Sequence, residues 1–169
     1  MPTAPAKASL QVTDKTPDTG DQAAFKWAAG QATTLNGLGD PLTTDDYALC
    51  VYVGPGESLA FKGTAPAGGT CGAGPCWKPS GSSGFKYADK AATPDGTVQV
   101  ALKAGGAGKA KMSFKGKGPL LTGRPLGLPT PPLPLPVRAQ LQGENGVCFE
   151  ATYSSASTNK PGTFKAKSD

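Results

Sequence analysis

Apolar and polar residues alternate with a period of two through most of this chain. In Ala24-Phe25-Lys26-Trp27-Ala28 two rings flank a lysine. Val98, Val100 and Leu102 alternate with Gln99, Ala101 and Lys103, and Ala110, Met112 and Phe114 alternate with Lys109, Lys111, Ser113 and Lys115. That period places one apolar face along a strand. The run Tyr47 to Val53, without Gly or Pro and bounded by Asp45-Asp46 and Gly54-Pro55-Gly56, reads as a central strand, with Ser58 to Lys62 as its hairpin partner. Val137 to Gln142 and Val147 to Tyr153, joined through Asn145-Gly146, read as a second hairpin, and the Gly105-Gly106 turn makes a third. Ser9 to Thr13 and Gly84 to Tyr87 add short strands, and Thr163 to Lys167 closes the chain as an edge strand.

No window of about eleven residues keeps a 3.6-residue apolar period without a Gly or Pro. About nine strands joined by turns predict an all-β antiparallel sandwich of jelly-roll or Ig-like type, with a closed barrel as the alternative. Residues 1–8, small and polar with two prolines, are expected to form a flexible lead to a single domain over 9–169. Residues 119–136 hold seven prolines and predict an extended or polyproline crossover.

Composition sharpens this picture at three points. Gly (24) and Pro (17) make up about a quarter of 169 residues, close to low-complexity composition, so the regular alternation is what argues for a folded core. No apolar stretch approaches the ~20 residues of a membrane span, and Met1 to Pro5 has no leader signature, so secretion would require a leader removed ahead of Met1. The net charge of +5 permits anionic partners without demanding nucleic acid.

Four cysteines with no histidine exclude a mixed Cys/His zinc site and predict disulfides in a periplasmic or extracellular compartment. Cys71 and Cys76 flank Gly72-Ala73-Gly74-Pro75, a turn suited to a bridge, which leaves Cys50 with Cys148. A bridge closing so long a loop would stabilise the fold by roughly 4–5 kcal/mol in the chain-entropy model.

Candidate chemistry is sparse. Without histidine, Ser-His-Asp and Cys-His catalysis are excluded, and Glu57, Glu144 and Glu150 have no pattern that converges them as a glycosidase pair, so no enzyme is expected. Asp14, Asp18 and Asp21, or Asp40, Asp45 and Asp46, resemble calcium ligands less than turn-shaping residues, and no metal or other cofactor is expected. The remaining candidates are ligand-binding: Trp77, Lys78, Phe85, Lys86 and Tyr87 around the small disulfide loop, as rings for sugar stacking with lysines between, and a basic face of Lys109, Lys111, Lys115 and Lys117.

The series Phe25-Lys26-Trp27, Gly39-Asp40-Pro41, Tyr47 to Tyr52, Pro75-Cys76-Trp77-Lys78, Gly84 to Tyr87, Lys115 to Gly118, Cys148 to Ala151 and Phe164 to Lys167 resembles uncharacterised domains in secreted proteins of environmental bacteria. The resemblance runs from Phe25 to the C-terminus, with Phe149 where Trp is expected, and implies secretion and a β fold but no chemistry. The resulting expectation is a non-catalytic secreted binding or adhesion domain that contacts a polysaccharide or cell-surface component. The alternative is a structural subunit of a fibre, coat or multidomain surface protein that self-associates through the crossover or the terminal strand.

Overall fold

The computed structural model describes residues 3–122 and 124–169; Met1, Pro2 and Gly123 lie outside them. In chain order the strands are β1 (Lys7–Thr13), β2 (Gln22–Ala28), β3 (Tyr47–Val53), β4 (Ser58–Ala65), β5 (Thr70–Cys71), β6 (Gly74–Pro75) and β7 (Trp77–Pro79). They continue as β8 (Gly84–Ala88), β9 (Thr97–Lys103), β10 (Lys111–Lys117), β11 (Val137–Gly143), β12 (Cys148–Tyr153), β13 (Thr158–Lys160) and β14 (Thr163–Lys167). The fold is all-β. An eight-stranded sheet runs β13-β14-β1-β2-β10-β9-β8-β7, a four-stranded sheet runs β12-β11-β3-β4, and β5 and β6 form a separate small hairpin. Every pairing between these strands is antiparallel, and the sheets are open, so the closed-barrel alternative does not apply.

The two large sheets pack in a sandwich-like manner because each presents the apolar half of its alternation to the other. Phe25, Trp27, Phe114, Val100 and Tyr87 come from one sheet and Leu49, Val51, Phe61, Leu141 and Phe149 from the other, all within one contiguous core. Ring pairs bridge the layers, with Trp27 edge-on to Phe149 at 5.1 Å and Phe61 edge-on to Phe114 at 6.2 Å. Gly63 on β4 is what lets the sheets close there. A Cβ at that position would stand 2.8 Å from the Phe114 ring and 2.9 Å from Phe61.

The three expected hairpins, β3–β4, β9–β10 and β11–β12, all form, the last with Gly146 at φ +88° in its turn. Three expectations change. Thr163–Lys167 is not an edge, since β14 lies between β1 and β13, and the three polar residues of β13 take the edge. The segment from Thr3 is not a free lead: Thr3 donates to the Cys148 carbonyl at 2.8 Å, its carbonyl accepts from Glu150 N–H at 3.0 Å, and Trp27 Nε1 donates to that same carbonyl. The proline-rich crossover begins with a 3-10 turn (Pro119–Leu121), buries Leu121, Leu128 and Leu133, and lies along the β4 edge, where the Leu126 carbonyl accepts from Lys62 N–H. No helix among the described residues is long and apolar enough to cross a membrane.

Candidate functional site

The cysteines separate into two classes. Cys71 and Cys76 form a disulfide across the β5–β6 hairpin. Cys50 and Cys148 do not, and the expected second bridge is corrected to two free thiols. The reason is sheet order. Cys50 on β3 lies opposite Gln140, and Cys148 on β12 lies opposite Gln142, so β11 separates them by two strand spacings with a further two-residue offset. Two spacings alone are about 9.6 Å, beyond the Cα separation of any disulfide. Both thiols project from the outer face of the four-stranded sheet, because Leu49, Val51, Phe149 and Ala151 hold the core positions on either side. Burial raises the Cys50 thiol, and burial with the nearby Glu150 charge pushes Cys148 up to about 11.

That outer face is occupied by a closed polar network. Gln142 donates to Gln140, Gln140 to Glu150, and Arg138 to both Glu150 at 2.8 Å and Glu57 at 3.0 Å. The Arg138 guanidinium also stacks 4.5 Å over the Tyr52 ring.

The aromatic candidates lie elsewhere than expected. Trp77 is 2% exposed, Phe85 9% and Tyr87 1%, so none presents a stacking surface. Their alternation with Lys78 and Lys86 turns the rings into the core and the lysines out. Trp77 Nε1 donates to the Pro66 carbonyl at 2.8 Å and Tyr87 Oη to the Thr93 carbonyl at 3.2 Å, which fixes loops onto the sheet edge. The other large fully buried aromatics are likewise core residues, and no aromatic ring is among the exposed large hydrophobics, Leu35, Leu120 and Leu135.

Most of the acidic candidates hold turns and loops in place, some locally and some across the chain. Asp45 accepts from Asp40 N–H at 2.5 Å, Asp40 from Leu42 N–H at 3.0 Å, and Asp46 from Ala67 N–H at 2.7 Å. Asp21 accepts from Lys15 N–H at 2.7 Å, and its carboxyl is raised mainly by burial, with Asp14 and Asp18 adding repulsion. Among the described residues no three His, Cys, Asp or Glu side chains gather as metal ligands.

What the structure does assemble is a lysine lattice. The eight strands of the large sheet carry eleven lysines and no Asp or Glu. Every one of these lysines is exposed. The register sets them in rows across the outer face. One row reads Lys167, Ser9, Lys26, Ser113, Ala101, Lys86, Lys78. A second reads Lys7, Ala28, Lys111, Lys103, and a third Lys165, Gln11, Ala24, Lys115, Gln99. Of the basic candidates, Lys111, Lys115 and Lys117 belong to this face, while Lys109 sits in the turn before β10. Alanine and serine between the lysines floor a shallow depression of about 430 Å³ at the centre and another of about 540 Å³ beside β1.

Ion pairing divides sharply. All salt bridges among the described residues belong to Arg124, paired with Asp95, and to Arg138; no lysine joins one. Two lysine pairs, Lys78 with Lys86 and Lys103 with Lys111, stand directly opposite each other on adjacent strands. Opposed like charges there are unfavourable.

No family model, curated protein or solved structure matches this chain. Its functional reading therefore rests on this geometry.

Proposed function

We propose that the protein is a non-catalytic binding domain that lays the outer face of its large sheet against an acidic polysaccharide. The observation that carries the reading is the unneutralised lysine lattice, with small residues between the lysines and no carboxylate on any of the eight strands. Edge protection, the ordinary reason for lysines on a β protein, accounts for those on β7 and β13. It does not account for Lys26, Lys111 and Lys115, which stand on β2 and β10 in the middle of the sheet. A neutral glycan is disfavoured by the lack of an exposed ring for stacking, whereas uronate or sulfate groups need only ammonium partners.

The setting that fits this function is extracellular or periplasmic, as in the secreted bacterial domains that the chain resembles, and the Cys71–Cys76 bridge is compatible with it. A fibre subunit would need strand edges to pair; the large sheet ends in three-residue strands, β7 containing Pro79 and β13 followed by Pro161, and the longer edges of the small sheet are partly covered, β4 by Leu126 of the crossover and β12 by Thr3.

Affinity electrophoresis through gels containing polygalacturonate, alginate, a sulfated galactan or neutral dextran tests the proposal. Retardation by the acidic gels, relieved by added salt, is the expected result; equal mobility in acidic and neutral gels would overturn it.

A further inference from the structure

A concavity of about 660 Å³ lies between the Cys71–Cys76 hairpin and the β7–β8 end of the lysine face. We infer that it is a subsite seating one acidic sugar residue of the polymer. This inference rests on the proposed role of the lysine face and places a defined pocket at the end of it.

The wall and the floor arise from adjacent pieces of sequence. The hairpin β5–β6 runs directly into Cys76 and Trp77. The indole is locked in the core, Cys76 N–H donates to the Gly69 carbonyl at 3.1 Å, and Ala88 N–H donates to the Cys76 carbonyl at 2.9 Å. The wall is thus tied to the sheet at its root and closed on itself by the disulfide. The opposed Lys78 and Lys86 line the concavity from the sheet, and Lys90 is the third lysine of the lining. The Lys78 ammonium lies against the hairpin, 3.7 Å from where a Cβ on Gly74 would stand.

The only carboxylate of the lining is Asp89, and it is occupied. It accepts from Ala91 N–H at 2.9 Å, Thr93 N–H at 2.8 Å and Thr93 Oγ1 at 3.0 Å inside its own turn. Three ammonium groups therefore share a concavity with no ion-pair partner among the described residues. Its volume falls in the range of about 300–1,000 Å³ typical of small-molecule sites. No ring lines it, so recognition there is of a charged group, a uronate carboxylate or a sulfate ester.

The test uses trigalacturonate and a sulfated disaccharide as short probes, followed by amide chemical shifts of the full chain. We expect saturable shifts at Gly72 to Gly74, Lys86 and Lys90 with at least one probe. The tighter probe identifies the acid preferred. Lys86→Ala/Lys90→Ala should weaken the short probe at least tenfold, while Lys26→Ala/Lys111→Ala should leave it within twofold and weaken only long polymer. Cys71→Ser/Cys76→Ser should loosen the wall and lower short-probe affinity about fivefold, with polymer retention kept. Shifts spread over Lys26, Lys111 and Lys115 instead, or polymer retention without any saturable short-probe binding, would overturn the subsite and leave the lysine face standing. Saturation at the hairpin without polymer retention would do the reverse.

Discussion

The outer faces of the two sheets use charge in opposite ways. On the four-stranded sheet Arg138, Glu57, Glu150, Gln140 and Gln142 answer one another, and the thiols of Cys50 and Cys148 are tucked beside them. On the eight-stranded sheet no lysine joins a salt bridge among the described residues. A network satisfied from within contributes to stability and has little left for a ligand. A lattice left open adds no stability, its opposed pairs even costing some, and its favourable energy is realised only when an anion arrives. The contrast teaches that, in this fold, stability and binding are assigned to different surfaces and should be separable by mutation.

The sharpest separation is at a ring once attractive as a ligand contact. Trp77→Ala removes a buried indole and its bond to the Pro66 carbonyl, and should cost about 3–5 kcal/mol in denaturant unfolding. Binding per folded molecule should stay as it was. A stable variant that no longer binds would return Trp77 to the site.

Next in size is Arg138→Ala, which leaves Glu150 and Gln140 without their cation. It should lower stability by about 1–3 kcal/mol, read from the urea midpoint. Lys26→Ala on the other face should change the same midpoint by less than about 0.5 kcal/mol. Equal effects would erase the distinction between the faces.

A smaller effect concerns pH. Cys148 is raised to about 11 by burial and Glu150, against about 8.5 for an unfolded thiol. The folded state thus holds that proton more tightly than the unfolded chain. The associated stability is full below about pH 8.5 and is lost as pH rises through about 11. Cys148→Ala should flatten the alkaline fall in Tm relative to the parent. Native protein should also react with iodoacetamide at pH 7.5 about tenfold or more slowly than unfolded protein.

Much of this was legible strand by strand. Alternation fixed which residues of Phe85-Lys86-Tyr87 or Lys111 to Lys115 share a side, and the Asn145-Gly146 turn named its own hairpin. The same alternation already turned the rings at Trp77, Phe85 and Tyr87 inward and the thiols at Cys50 and Cys148 outward, because Leu49 and Val51 flank Cys50 and Phe149 follows Cys148 in the core. Pairing those thiols across a core overlooked this signal. Sheet order was not legible, since nothing local in β3 or β12 announces that β11 lies between them. For the same reason lysines scattered over eight segments became one face only when the strands were laid side by side. The short strands β5, β6, β7 and β13 escaped because two or three residues, some of them Pro or Gly, carry no period.

The most direct test of the account is the affinity for polygalacturonate, measured against salt, of three proteins. These are the parent, Lys26→Glu/Lys111→Glu/Lys115→Glu on the large sheet, and Lys62→Glu on the small one. The account predicts parent binding that weakens steeply with salt, loss of at least tenfold in the triple variant, and no more than a twofold change in the Lys62 variant, with all three folded. Equal weakening by the two replacements, or a triple variant that binds like the parent, would contradict it.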